Sequence, residues 1–304
     1  MLAASAFALH LATRPTPGEL RERAGRIVST RWVQTQAKTG YDLVDLKLMS
    51  SSGLTTRCRI RVPESGNVGV RYPAYVIAGG VRTGRHAVNF RRMAVPDVVM
   101  AACDYPLNIR ELRASSRFWS AIPQLRRAFI DTPATLILAT DYLTRRPDVD
   151  PDALAMIGAS FGVPAATVAA ALDPRIRAAA FLYGGGDLPL LLVQNVDLGS
   201  AAANRVGRAL AWLLARPIEP TRYAGAIAPR PTLMVNSPSD SAIPRASIDE
   251  LYEALGEPKE LRWLPLEHFA AFHERELLAE LTKLVTEWLR TQGFGSTEPT
   301  ARKF

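Results

Sequence analysis

Ser160 lies in Gly158-Ala159-Ser160-Phe161-Gly162, a G-x-S-x-G string whose residue types suit nucleophilic chemistry. The flanks give the string meaning. Ala153 to Ile157 is an apolar run of strand length, and Val163 to Leu172 is an Ala-rich run that reads as helix. Between a strand and a helix the pentapeptide is a candidate nucleophile elbow, a strained turn that lifts the serine hydroxyl clear of a sheet. Positions two before and two after the serine come too close to neighbouring backbone for a side chain, which accounts for Gly158 and Gly162. The helix that follows would point the positive end of its dipole at a developing oxyanion. The plainer alternative is an ordinary strand-to-helix turn that uses glycine for its dihedral angles.

A serine nucleophile needs a base to take its proton and an acid to orient that base. The chain has four histidines: His10, His86, His268 and His273. His268 follows the last expected strand and precedes the closing helix, so it falls in a strand-end loop; His273, at the start of that helix, is its rival. Asp240, just past the penultimate expected strand, is the acid candidate, with Asp249 and Asp187 behind it. An oxyanion hole takes two backbone N–H groups. One would come from Phe161, and the other from Gly80 or Val81 in the loop after the Pro73–Ala78 strand. Gly79, His86 and Tyr183 are expected to contact substrate. The segments 81–130 and 187–222 are expected to shape the pocket that selects it.

These residues need a scaffold that brings strand ends together. Tyr41 to Met49 and Leu54 to Val62 alternate apolar and polar, with Ser50 to Gly53 as a hairpin turn between them. Arg57, Arg59 and Arg61 share one face of the second strand, which should be wet. Buried strands are expected at 73–78, 98–104, 153–157, 176–183, 232–236 and 260–264. Helices are expected at 86–94, 133–144 (with Pro133 in its first turn), 163–172, 204–214, 248–255 and 274–290. The pattern is an antiparallel hairpin followed by alternating strand and helix. It predicts an α/β fold with a mostly parallel central sheet and helices on both faces. Ligands in such sheets bind beyond the carboxyl ends of the strands, where the glycine clusters fall. The expected organisation is a lead-in over 1–40, one domain over 41–290 with a small helical insertion at about 187–222, and a frayed tail over 291–304.

Apolar residues make up 48 % of the 304, enough for a large core. The formal charge of +8 is spread along the chain without a basic stripe, so no nucleic-acid partner is expected. Cys58 and Cys103 lie on different strands, and two buried free thiols are the default expectation. The apolar stretch within residues 1–14 is too short to span a membrane and lacks a basic leader. It reads as a short packed helix in a cytoplasmic protein, or as the remnant of an export signal.

At these residues the chain resembles α/β-hydrolases of the dienelactone-hydrolase and acetyl-xylan-esterase kind. The resemblance is carried by Gly158–Gly162, by Asp148–Asp152 leading into the elbow strand, and by Tyr223–Met234 leading to the acid. It extends through Pro258–Glu260 to His268, over roughly residues 70–290. The order Ser160, Asp240, His268 is the one such enzymes use. Two departures matter: dienelactone hydrolases use cysteine where this chain has Ser160, and the His-Gly-Gly of many lipases is here Ala78-Gly79-Gly80. The resemblance implies a serine carboxylic ester hydrolase acting on a small-molecule ester, with no metal or cofactor. The alternatives are a non-catalytic ligand-binding protein of the same fold or, among enzymes, a thioesterase or peptidase.

Overall fold

The computed structural model describes residues 15–64, 69–89, 96–106, 118–195, 197, 199–265, 267–268 and 275–295. Its strands are β1 (Ile27–Lys38), β2 (Tyr41–Ser50), β3 (Thr55–Pro63), β4 (Tyr72–Ala78), β5 (Val99–Cys103), β6 (Val149–Ala159), β7 (Ile176–Leu182), β8 (Thr232–Asn236) and β9 (Lys259–Trp263). They form one nine-stranded sheet in the order β1-β2-β3-β5-β4-β6-β7-β8-β9. The first three strands pair antiparallel, and β3 pairs antiparallel with β5. From β5 to β9 every neighbour is parallel.

The helices are α1 (Pro17–Ala24), α2 (Phe118–Thr144), α3 (Val163–Leu172), α4 (Leu188–Asn195), α5 (Ala201–Ala215), α6 (Thr221–Ala224), α7 (Arg245–Ala254) and α8 (Arg275–Thr291). Two apolar cores result. On one face of the sheet, residues of α1, α2, α3, α6 and α7 bury side chains such as Leu20, Leu138, Val168 and Leu251. On the other, Leu281, Val285, Trp288 and Leu289 of α8 pack with Tyr75, Ile77 and Ile157 from the strands. The stripe of α8 is the helical spacing that buries one side of an amphipathic helix. No helix among the described residues is long and apolar enough to cross a membrane.

Five expectations are corrected. The ordered body does not begin at 41: α1 starts at Pro17 and β1 is a full strand of the sheet. Because β1 is an edge strand, most of its side chains are exposed on both faces, so it lacks the alternation that marks a half-buried strand. The helix expected from Pro133 begins at Phe118 and carries Pro123 and Pro133 inside it. The proline that reads as a first-turn residue is therefore internal, tolerated without its N–H donor by a helix packed along its length. Nor is the whole tail from 291 frayed, since Phe294 is buried against the second core.

The wet arginine face of β3 is the fourth correction. Arg57 is exposed, but Arg59 and Arg61 are buried. Asp45, opposite on β2, accepts from the Arg59 guanidinium at 2.7 Å, and the Arg61 guanidinium lies 3.7 Å from the Tyr41 ring centre. Paired charge and cation–π contact make burial tolerable. Arg59 in turn holds the Asp45 carboxyl below the usual range.

The two cysteines are also not free thiols. Cys58 and Cys103 are direct partners in the β3–β5 register and are joined by a disulfide. Antiparallel pairing brings their Cβ atoms face to face, a relation that spacing in the sequence does not reveal. A thiol titration of the unreduced protein should find neither cysteine free. Closure of the loop between cysteines 45 residues apart should make the oxidised protein about 2–4 kcal/mol more stable than the reduced one in urea melts.

Candidate active site

The strand order reverses direction between β4 and β6: the chain moves outward from β4 to β5, then crosses back to β6 on the other side. Such a switch point opens a crevice beyond the strand ends. Ala78 pairs with Gly158, so the Gly79–Val81 loop leaves β4 directly beside the turn that leaves β6. On the far side, Asn236 of β8 pairs with Trp263 of β9, which sets the loops carrying Asp240 and His268 next to each other.

Between β6 and α3 the chain makes a single short helical turn, Ser160–Gly162. Ser160 has φ of 51°, in the left-handed region that a residue with a side chain rarely occupies. The turn is held by close packing. A Cβ on Gly158 would lie 2.8 Å from Ala166 Cβ and 3.0 Å from Val163 Cα, and a Cβ on Gly162 would collide with the Ala78 carbonyl. Both glycines are thus steric requirements of a helix pressed against the ends of its own and the neighbouring strand.

Ser160 Oγ lies 2.9 Å from His268 Nε2, and His268 Nδ1 lies 2.9 Å from Asp240 Oδ2. The Asp240 side chain is fully buried and that of His268 is 5 % exposed. The other carboxylate oxygen, Oδ1, accepts from the backbone N–H groups of Ala242 at 2.8 Å and Ile243 at 2.9 Å. These bonds satisfy a buried charge and fix its orientation.

Tyr183 does not line the cavity as expected. It is wholly buried, with its ring edge-on to the His268 ring at 5.7 Å between centres. Burial, reinforced by the nearby Asp240, pushes its phenol up to about 12, so the ring beside the imidazole is neutral. His86 is likewise not among the described residues around Ser160. Its Nδ1 accepts from the Arg59 guanidinium at 3.1 Å, which ties it to the ion-pair cluster of β2 and β3. Asp249 pairs with Arg245 on the surface of α7, and Asp187 caps the start of α4. His10 and His273 lie outside the described residues.

Gly79, Gly80 and Val81 border a cavity of about 570 Å³ that opens at Ser160 and His268. The Gly79 carbonyl accepts from the Tyr105 hydroxyl, and the Gly80 carbonyl accepts from both the backbone N–H (2.9 Å) and the hydroxyl (2.8 Å) of Thr83. Arg85, just beyond, is ion-paired to Asp104 at the end of β5. Sequence reading missed Tyr105, which also packs edge-on to Phe161 at 5.3 Å. It missed a second set of contacts around the Asp240 loop. Ser241 donates to Glu267 at 2.6 Å, linking the Asp240 loop to the His268 loop, and Gln194 and Asn195 of α4 donate to the carbonyls of Ser241 and Ala242. These contacts join segments far apart in the chain and have no local sequence signal.

A nine-stranded, mostly parallel sheet, a strained serine turn at its switch point and a histidine and acid on the last two strand-end loops define the α/β-hydrolase fold. The chain superposes on an acetyl xylan esterase from Paenibacillus sp. R4 with a TM-score of 0.68 at 16 % identity, over 90 % of this chain and 95 % of that one. Acetyl xylan esterase 1 from Thermoanaerobacterium sp. JW/SL YS485 matches with a TM-score of 0.59 at 17 % identity, over 89 % and 96 % of the two chains. A cold-adapted esterase from an Arctic intertidal metagenomic library matches with a TM-score of 0.57 at 16 % identity, over 85 % and 99 %. By sequence, the protein YfhR of Salmonella typhi is 29 % identical over 140 residues, 45 % of this chain and 47 % of that protein. The match thus spans about half the length of that relative. No family model matches the chain.

Proposed function

We propose that this protein is a serine-dependent carboxylic ester hydrolase that works through an acyl-enzyme. The observation that carries the reading is the continuous hydrogen-bonded line from Ser160 through His268 to a fully buried Asp240, at the mouth of a cavity. In this reading Ser160 Oγ bonds to the ester carbonyl carbon while His268 Nε2 takes the hydroxyl proton. Asp240 accepts the Nδ1–H, which leaves the Nε2 lone pair facing the serine and stabilises the imidazolium that forms. The carbonyl oxygen becomes an oxyanion, met by the backbone N–H of Phe161 and by one from the Gly80–Val81 segment. Tyr105 and Thr83 hold the carbonyls of Gly79 and Gly80, which keeps that segment in place.

Collapse of the tetrahedral species breaks the bond to the leaving oxygen, which departs as the alcohol with the proton from His268. Water then attacks the acyl carbon and gives a proton to His268. The second tetrahedral species expels Ser160 Oγ, which recovers that proton, and the carboxylic acid is released. The fold shared with acetyl xylan esterases and a cold-adapted esterase supports this chemistry by analogy.

A fluorophosphonate probe tests the reading. The native protein should be labelled once, on Ser160, and lose label after heat unfolding or on Asp240→Asn. Absence of label on the folded protein would overturn it.

A further inference from the structure

We propose that the cavity at Ser160 accommodates an extended apolar chain of the substrate, so that the enzyme acts on esters of such chains in preference to acetyl esters of polar alcohols. The inference rests on the ester-hydrolase reading and adds the substrate class. It follows from where the cavity runs. It spans the ends of β4, β6 and β7, where Gly79 to Thr83, Ala159, Ser160 and Leu182 border it, and continues along one face of the sheet toward α8. Along β4 it is bordered by Gly79, Ile77 and Tyr75, alternate residues on one face of the pleat.

Most of the described lining is apolar, with Arg82, Thr83 and Thr286 among the polar exceptions. Met100, Ile157 and Leu182 add to the sheet side, and Leu278, Leu281 and Val285 form the helix side. The last three lie at helical spacing, and Leu281 and Val285 also belong to the core that α8 shares with the strands. A volume of about 570 Å³ is that of a site for a sizeable ligand, and an acetyl group would leave almost all of it unfilled. Thr282 lines the space too, but its hydroxyl donates back to the Leu278 carbonyl at 2.7 Å and presents its methyl group as wall. Burial of methylene groups against such walls strengthens binding.

Two substrate series on the unmodified protein test this: p-nitrophenyl acyl esters from acetate to decanoate, and n-alkyl acetates from ethyl to octyl. In one of the two, kcat/KM should climb by about fourfold per methylene at first, reaching at least about a hundredfold over the shortest member before levelling off. The series that climbs identifies which side of the ester occupies the cavity. Thr282→Trp and Val285→Phe should each narrow the cavity and cut the long-to-short ratio at least about tenfold. Flat or falling profiles in both series, with Ser160 labelled by fluorophosphonate and acetate turned over, would overturn the substrate class and leave the ester-hydrolase reading standing. Failure of both labelling and turnover would overturn the two together.

Discussion

Ser160→Ala is expected to lower kcat for ester hydrolysis by roughly 10⁶, and His268→Ala by a similar factor. The reason is geometric. Ser160 Oγ and His268 Nε2 share one hydrogen bond at 2.9 Å, and Asp240 holds the other ring nitrogen at the same distance. Without the hydroxyl no acyl-enzyme forms; without the imidazole the hydroxyl keeps its proton and is a poor nucleophile. Because the two act as a unit, the double variant should be scarcely slower than either single one. Losses that multiply in the double variant would mean that the residues act in separate steps. Ser160→Ala should also leave the denaturation midpoint close to that of the parent, because it deletes one hydroxyl at the cavity mouth without opening a core cavity and keeps the Cβ on the strained φ of 51°. A loss of activity accompanied by a large loss of stability would instead make the serine structural.

The second large effect is expected from a single methyl group. Gly162→Ala would drive its Cβ into the carbonyl of Ala78 and within 2.9 Å of the Ala78 side chain. Ala78 cannot easily yield. It is the last residue of β4, is hydrogen-bonded in register with Gly158 of β6, and is 4 % exposed. The strain should cost about 1–3 kcal/mol of stability, read from urea melts. The effect on activity should be larger. Whatever relaxes the clash moves the end of β4, and with it the Gly79–Val81 segment, relative to Ser160. A displacement on the order of 1 Å at reacting groups costs about a hundredfold in rate, so kcat should fall by at least that factor. Parent-like kinetics in Gly162→Ala would mean that α3 does not press on β4 as described.

The two effects together separate chemistry from scaffold. Ser160→Ala removes the proposed nucleophile and should spare the fold, whereas Gly162→Ala keeps Ser160, His268 and Asp240 and should disturb their spacing. A protein in which both behave as expected has its function located at the switch point between β4 and β6.

Much of this was legible in the chain because the relevant signals are local. An apolar run, a glycine-flanked serine and an Ala-rich run dictate a strand, a tight turn and a helix through backbone sterics alone, and Ser160 was found at that turn. Asp240 and His268 were legible for a related reason. Each follows a short apolar strand of a parallel sheet, and all parallel strands present their carboxyl ends on the same side. β1 was not legible, because an edge strand wet on both faces has no hydrophobic period. The early start of α2 was hidden by two prolines that ordinarily mark helix beginnings.

Residue types and order, then, determined the fold class and singled out Ser160, Asp240 and His268, which the structure joins in one hydrogen-bonded line, since each depends on local pattern or on the shared polarity of parallel strands. Only the tertiary structure decided the rest. It paired Cys58 with Cys103 through register, buried Arg59 against Asp45, and turned Tyr183 from an expected substrate contact into a support beneath His268. Of the segments expected to shape the pocket, 81–130 supplies Val81, Arg82, Thr83, Ala87 and Met100, and the other described walls come mainly from the strands and α8, with none from 187–222. Leu281 and Val285 read from the sequence as an ordinary core stripe, because periodicity says which face of a helix is apolar and nothing about how far that face stands from the sheet it covers.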